Sequence, residues 1–179
     1  EVIREKGLAA LADEKEAVYR EIYAPVIRPV EGLADLLGRL RAAGIRCAVG
    51  SSGCRKNVDF VLEKCGIAGC FDAIVSGDRV TRCKPDPEIY LTAAAALELT
   101  PAECVVFEDA KAGIEAARRA GARRIVTLTT TLPREVLAAE TAAAGEASKS
   151  EESQFEGVTA SVYARHVVHK KGKIKTKGQ

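Results

Sequence analysis

The alternation of short apolar runs with helix-period segments between residues 29 and 131 constrains this chain more than any other feature. Leu33, Leu36, Leu37 and Leu40 fall on one helix face, and Gly44 closes it. Ile45 to Gly50 then alternates, with Ile45, Cys47 and Val49 on one side, and reads as a strand. Val58, Val61, Leu62 and Cys65 form the next helical stripe, stopped at Gly66, and Phe71 to Ser76 makes a second short strand. Asp86 and Pro87 offer a cap and a first-turn residue for a helix reaching about Glu98. Cys104 to Phe107 is a continuous apolar run, as in strands covered on both faces. Ala110 to Ala120 is helical and ends at Gly121, and Arg124 to Leu128 is the last strand of the series. Repeated units of this kind predict an α/β fold, a Rossmann-like parallel sheet flanked by helices. In such sheets the working residues lie just past the carboxyl ends of the strands.

The flanks carry weaker signals. Leu8, Leu11, Ala12, Val18, Tyr19, Ile22 and Tyr23 recur at steps of three and four, which predicts one helix or two in succession before Pro25 and Pro29. Residues 138–152 are rich in Ala, Glu and Ser, and the tail from Arg165 carries Lys170, Lys171, Lys173, Lys175 and Lys177. That composition predicts a helical or disordered extension ending in a basic tail. The expected division is therefore 1–28, 29–131 and 132–179. Within the last part, Gly157 to Tyr163 has some strand character and could fill a sheet position.

Composition narrows the functional classes. Lysine and arginine number 27 against 25 acids, a formal charge of +2, so the chain as a whole gives no reason to expect a nucleic-acid binder. No apolar run approaches a membrane span and no signal-peptide pattern opens the chain. Cys47, Cys54, Cys65, Cys70, Cys83 and Cys104 fall singly, with no CxxC pair, as expected of reduced thiols in an intracellular, reducing compartment. Cys54, just past the first predicted strand, has no histidine in nearby sequence to activate it as a nucleophile. His166 and His169, three apart, lack a neighbouring carboxylate or thiol and read as part of the lysine-rich tail rather than a metal site.

Three segments at strand ends carry the chemistry. Gly50-Ser51-Ser52-Gly53 follows the first strand, Lys84-Pro85-Asp86-Pro87 lies beyond the second, and Glu108-Asp109 ends the third. Singly these are an ordinary helix cap, a solvated turn and a favourable dipole contact. Together they place a hydroxyl, an ammonium and two carboxylates on one sheet edge. That set suits a phosphate ester held with Mg²⁺: hydroxyl and lysine for the phosphoryl oxygens, carboxylates for the hard cation.

The runs Phe71 to Asp78, Lys84 to Tyr90 and Val106 to Ala117 resemble the haloacid dehalogenase (HAD) superfamily, most of all its β-phosphoglucomutase-like branch of sugar-phosphate phosphatases and mutases. The resemblance covers about residues 29–130 and three of the family's four motifs. It implies that Ser51 is the second-motif hydroxyl and Lys84 the third-motif lysine. It also implies phosphate binding by Ser51, Ser52 and Lys84, and Mg²⁺ binding by Glu108 and Asp109. The residues before Arg28 resemble the end of the helical cap that closes over a small phosphorylated metabolite.

One part of the pattern is missing. The family's first motif is an Asp-x-Asp whose first aspartate attacks phosphorus. Here Asp13, Asp35, Asp59, Asp72, Asp78, Asp86 and Asp109 are the only aspartates, and no two are separated by one residue. The resemblance thus implies a chain truncated before that motif, as does a first residue of Glu1 rather than Met, and inactive as written. A missing central strand would forgo on the order of 10 kcal/mol of burial, comparable to the whole stability of a domain at about 5–15 kcal/mol. The expectation is that a missing N-terminal segment or a partner protein completes the sheet, or that the fold is rearranged or marginal. The competing expectation is a non-catalytic HAD-like binding or assembly module.

Overall fold

The computed structural model describes residues 7–137 together with the backbone of residues 157–160. Helices α1 (Leu8–Tyr23) and α2 (Leu33–Ala42) lead into strand β1 (Arg46–Gly50). Then come α3 (Arg55–Lys64), β2 (Ala73–Val75), α4 (Glu88–Ala96), β3 (Cys104–Glu108), α5 (Lys111–Ala120), β4 (Arg124–Thr127) and β5 (Gly157–Ala160). The sheet runs β2-β1-β5-β3-β4, and every neighbouring pair is parallel.

Both faces of this sheet are covered, which explains its apolar strands. Cys47 and Val49 of β1 pack with Ile27, Leu37, Val58, Val61 and Leu62. Ala48, between them, faces the opposite layer of Ile89, Tyr90, Ala93, Val106 and Ala117. Strict alternation was therefore only half of the β1 signal, because the residues on both sides are buried. Each fully buried Leu or Ile in these layers contributes about 1.5–3 kcal/mol of transfer free energy.

Helix α5 shows how local sequence sets the element. Gly113, Ile114, Ala116 and Ala117 turn inward. Outside, Glu115 pairs with Arg118 and Arg119 at the favourable spacings of three and four. Gly121 stops the helix at φ 79°, where a side chain would be strained. Helix α4 begins one residue later than expected, with Pro87 at its N-cap position, and Asp86 Oδ1 still accepts the Glu88 N–H at 3.0 Å.

Helix α1 is a single helix, and it differs from a core helix. None of its residues is buried, and Leu8, Val18 and Ile22 are exposed. It docks through Tyr19, which packs against the core, and through polar groups: Asn57 of α3 donates to Glu16 at 2.5 Å and accepts from Arg20 at 2.6 Å. Asn57 is buried, so this pairing satisfies both ends of its amide.

In the C-terminal extension, the strand character of Gly157 to Tyr163 is realised at residues 157–160, which take a sheet position as β5. Residues 157–160 pair with Arg46 to Val49 on one side and with Cys104 to Phe107 on the other. They fill the slot that an absent central strand would leave. The reason is the cost of the alternative: β1 and β3 would otherwise each present a row of unpaired backbone groups inside a covered sheet. The basic tail, His166 and His169 lie outside the described residues. No helix among the described residues is long and apolar enough to cross a membrane, and none of the six cysteines forms a disulfide.

Candidate active site

Lys84 gathers the strand ends. Its ammonium donates to Gly50 O at the end of β1 (3.2 Å), to Tyr90 Oη (2.9 Å) and to Glu108 Oε1 at the end of β3 (3.2 Å). Since β5 separates β1 from β3, the two ends stand two strand spacings apart, roughly 10 Å, and Lys84 reaches both. The Lys84 and Glu108 side chains are 1% and 0% exposed, a fully buried ion pair. Burial pushes the Lys84 ammonium below its ordinary pKa, while the charges of Glu108 and then Asp109 pull the other way. Tyr90 supports the cation a second way, its ring centroid lying 4.6 Å from Nζ.

Ser51 is buried just past β1. Its N–H donates to Val75 O at 2.9 Å, which ties the loop to β2. Its Oγ accepts the Gly53 N–H at 3.1 Å, which orients the hydroxyl to donate its own proton elsewhere. Ser52 is exposed. The loop after β2 presses on this one: Gly77 N–H donates to Gly53 O at 2.8 Å. A β-carbon on Gly77 would lie 2.4 Å from Ser52 O, so only glycine fits.

Glu108 and Asp109 are both buried at the end of β3. Glu108 Oε2 accepts the Asp109 N–H at 3.2 Å, so both its oxygens have protein partners. Asp109 Oδ2 accepts the hydroxyls of Thr130, at 2.8 Å, and Thr131. The ladder places them there, since Leu128 N–H donates to Glu108 O at 2.8 Å and carries the chain past β4 alongside β3. No group of three or more His, Cys, Asp or Glu that could hold a metal occurs among the described residues. The oxygen donors of Asp109 and Glu108 match the one or two carboxylates that Mg²⁺ takes when waters and phosphate oxygens complete its shell.

The residues read from the sequence thus meet at one edge. Lys84 and Glu108 touch directly, Asp109 follows Glu108 in the chain, Ser51 follows Gly50, whose carbonyl Lys84 also binds, and Ser52 is exposed. Cys54 caps α3 by position, with no side-chain capping bond. Tyr90, Gly113, Thr130 and Thr131 were not singled out. Applying the strand-end rule to β4 would have found the two threonines.

Over residues 2–121 the sequence matches the haloacid dehalogenase-like hydrolase family, and the chain belongs to it. It is 42% identical over 114 residues, 64% of this chain, to validoxylamine A 7'-phosphate phosphatase of Streptomyces hygroscopicus subsp. limoneus, covering 53% of that protein. It is 41% identical over 90 residues, 50% of this chain, to β-phosphoglucomutase of Bacillus subtilis (strain 168), covering 39% of that protein. In structure it resembles CbbY from Rhodobacter sphaeroides in complex with xylulose-(1,5)bisphosphate, with a TM-score of 0.58, 32% identity, and coverage of 66% of this chain and 56% of that one. The chain spans about half the length of the first curated relatives it matches.

Proposed function

We propose that the strand-end cluster of this haloacid dehalogenase-like chain is the phosphate-holding part of a Mg²⁺-dependent phosphatase or phosphomutase site for small phosphorylated metabolites such as sugar phosphates. The observation that carries this reading is Lys84, whose ammonium joins Gly50, beside Ser51, to Glu108, beside Asp109. Ser51 donates its hydroxyl proton to a phosphoryl oxygen, and Lys84 balances the phosphoryl charge in a site shielded from water. A phosphoryl oxygen replaces one of the present acceptors of Lys84. Tyr90 Oη is cheaper to release than the Glu108 carboxylate, because only Glu108 forms a buried ion pair with the ammonium. Asp109 and Glu108 would hold Mg²⁺, which would draw negative charge from the phosphoryl group. Thr130 and Thr131 fix the Asp109 carboxylate for that task. The relatives named above, a phosphatase, a phosphomutase and a protein solved with a sugar bisphosphate, support the substrate class.

Turnover through an aspartyl-phosphate needs the Asp-x-Asp, and the 179-residue sequence contains none. On this reading the chain by itself binds phosphate esters without hydrolysing them. Hydrolysis requires a strand bearing Asp-x-Asp, supplied by an upstream segment or a partner protein and taking the place between β1 and β3 that residues 157–160 occupy here. The same absence favours a second reading, a binding or assembly module that keeps the site without the reaction.

Titration with inorganic phosphate, with and without Mg²⁺, tests the site, and a sugar-phosphate panel tests turnover. The panel is run on this chain and on a form extended at its N-terminus through a strand bearing Asp-x-Asp. Phosphate binding by both, with hydrolysis only in the extended form, is the expected result. No phosphate binding by folded protein would remove the reading. Binding without hydrolysis in either form would leave the binding module.

A further inference from the structure

The loop after β2 holds the loop after β1 through Gly77 and Asp78, with Ser76 bracing Asp78 from within its own loop. Ser76, fully buried, donates its hydroxyl to Asp78 Oδ1. Gly77 donates its N–H to Gly53 O at 2.8 Å and lets its bare Cα sit against Ser52 O. Asp78 Oδ2 accepts the backbone N–H of Arg55 at 3.2 Å. That N–H belongs to the first residue of α3, and the preceding Cys54 contributes no side-chain capping bond. The Arg55 guanidinium is paired with Asp59 at 2.8 Å; the hydrogen bond from Arg55 to Asp78 is made by the backbone amide, and the guanidinium adds a smaller charge attraction.

We propose that Asp78 is a positioning residue for the phosphate loop 51–55, holding its backbone in the anion-accepting shape through the Arg55 amide. The inference rests on the phosphate-site reading and deepens it. Two features separate it from simple helix capping. The carboxylate belongs to a different strand-end loop, so it sets the distance between loops and not only the end of α3. Its hydroxyl partner is buried and fixed, so the second oxygen is aimed. The lowered pKa of Asp78, due first to the Ser76 hydroxyl, agrees with a carboxylate held ionised in this bonding pattern. A negative charge beside an anion-accepting loop opposes ligand binding. The contribution of Asp78 is therefore geometric, and an uncharged acceptor of the same shape should serve as well.

Phosphate affinity of Asp78→Ala and Asp78→Asn, compared with the parent chain, tests this. Asparagine can still accept from the Arg55 N–H, so Asp78→Asn should bind inorganic phosphate within about twofold of the parent or more tightly, whereas Asp78→Ala should bind about tenfold more weakly. Amide hydrogen exchange at Arg55 should quicken in Asp78→Ala alone and reports the clamp without any ligand. Asp78→Ala binding as tightly as the parent would overturn the inference. Asparagine failing as badly as alanine would also overturn it, by making charge the cause. A parent chain that binds no phosphate would overturn the site reading and this inference with it. Failure of the inference alone leaves parent binding intact, so the two are distinguishable.

Discussion

Gly113 faces the carboxylate of Glu108 so closely that a β-carbon on it would fall 1.4 Å from Oε1. The first turn of α5 therefore lies directly over the end of β3, and the buried carboxylate fits there only because one helix position has no side chain. In an ordinary helix, replacing glycine with alanine stabilises by about 1 kcal/mol. Here the sign should reverse. Gly113→Ala must displace Glu108 from Lys84 or push α5 outward, costing about 1–3 kcal/mol for the overpacking and more if the ion pair opens. Urea unfolding checks it, and a variant at least as stable as the parent would show that the carboxylate can move aside freely.

The Lys84–Glu108 pair predicts a second asymmetry. Lys84→Met leaves a carboxylate of 0% exposure without its cation, at a cost of about 3–5 kcal/mol. Adding Glu108→Gln to Lys84→Met removes the stranded charge and should recover part of that loss. The double variant should therefore be more stable than the single one. A double variant less stable than Lys84→Met would mean that Glu108 is held mainly by its other contacts.

The strand ends were legible in the sequence because each is announced locally: an apolar run, then a turn residue, then a helix stripe. Ser51, Lys84, Glu108 and Asp109 follow from that punctuation. What was not legible is the set of contacts made across elements. Tyr90 reads as a helix-face aromatic until Lys84 folds back on it. Gly113 reads as a weak point in α5 until β3 is placed beneath it. Strand β5 is a mixed case: the Gly157 to Tyr163 run shows strand character, but which slot it takes depends on two strands far away in sequence. Local propensity cannot report a slot that exists only after the sheet has formed.

Cys47 supplies a pH prediction. Burial first, then the nearby Asp72 charge, raises its thiol from 9.0 to about 11. The folded chain thus holds this proton more tightly than the unfolded chain does. The associated stability is fully present below pH 9 and is lost as pH rises toward 11, by up to about 2–3 kcal/mol. Cys47→Ala should show a flatter stability profile over that window in urea titrations. Equal slopes for parent and variant would mean that Cys47 ionises as easily folded as unfolded. Iodoacetamide at pH 8 should accordingly label exposed Cys83 in the native chain and reach Cys47 only on unfolding.

The last prediction concerns β5 itself, on which continuity of the sheet depends. Thr159 lies opposite Ala48 of β1 and Val106 of β3, so it sits in the middle of a strand paired on both sides. Proline there would remove a ladder N–H and bring a ring against the neighbouring backbone. Such a change is tolerated at edges but not in a central strand. Thr159→Pro should cost about 1–3 kcal/mol for the partner left unpaired, before any steric clash. Thr159→Val, which keeps the N–H and a β-branched side chain, should stay within about 1 kcal/mol. The pair of variants isolates the backbone bond from side-chain size, and urea midpoints read the difference. If Thr159→Pro unfolds at the same midpoint as the parent, β1 and β3 hold the core without the inserted strand. A loss confined to proline would establish that residues 157–160 complete the sheet, and so help hold Gly50 and Glu108 at the separation that Lys84 bridges.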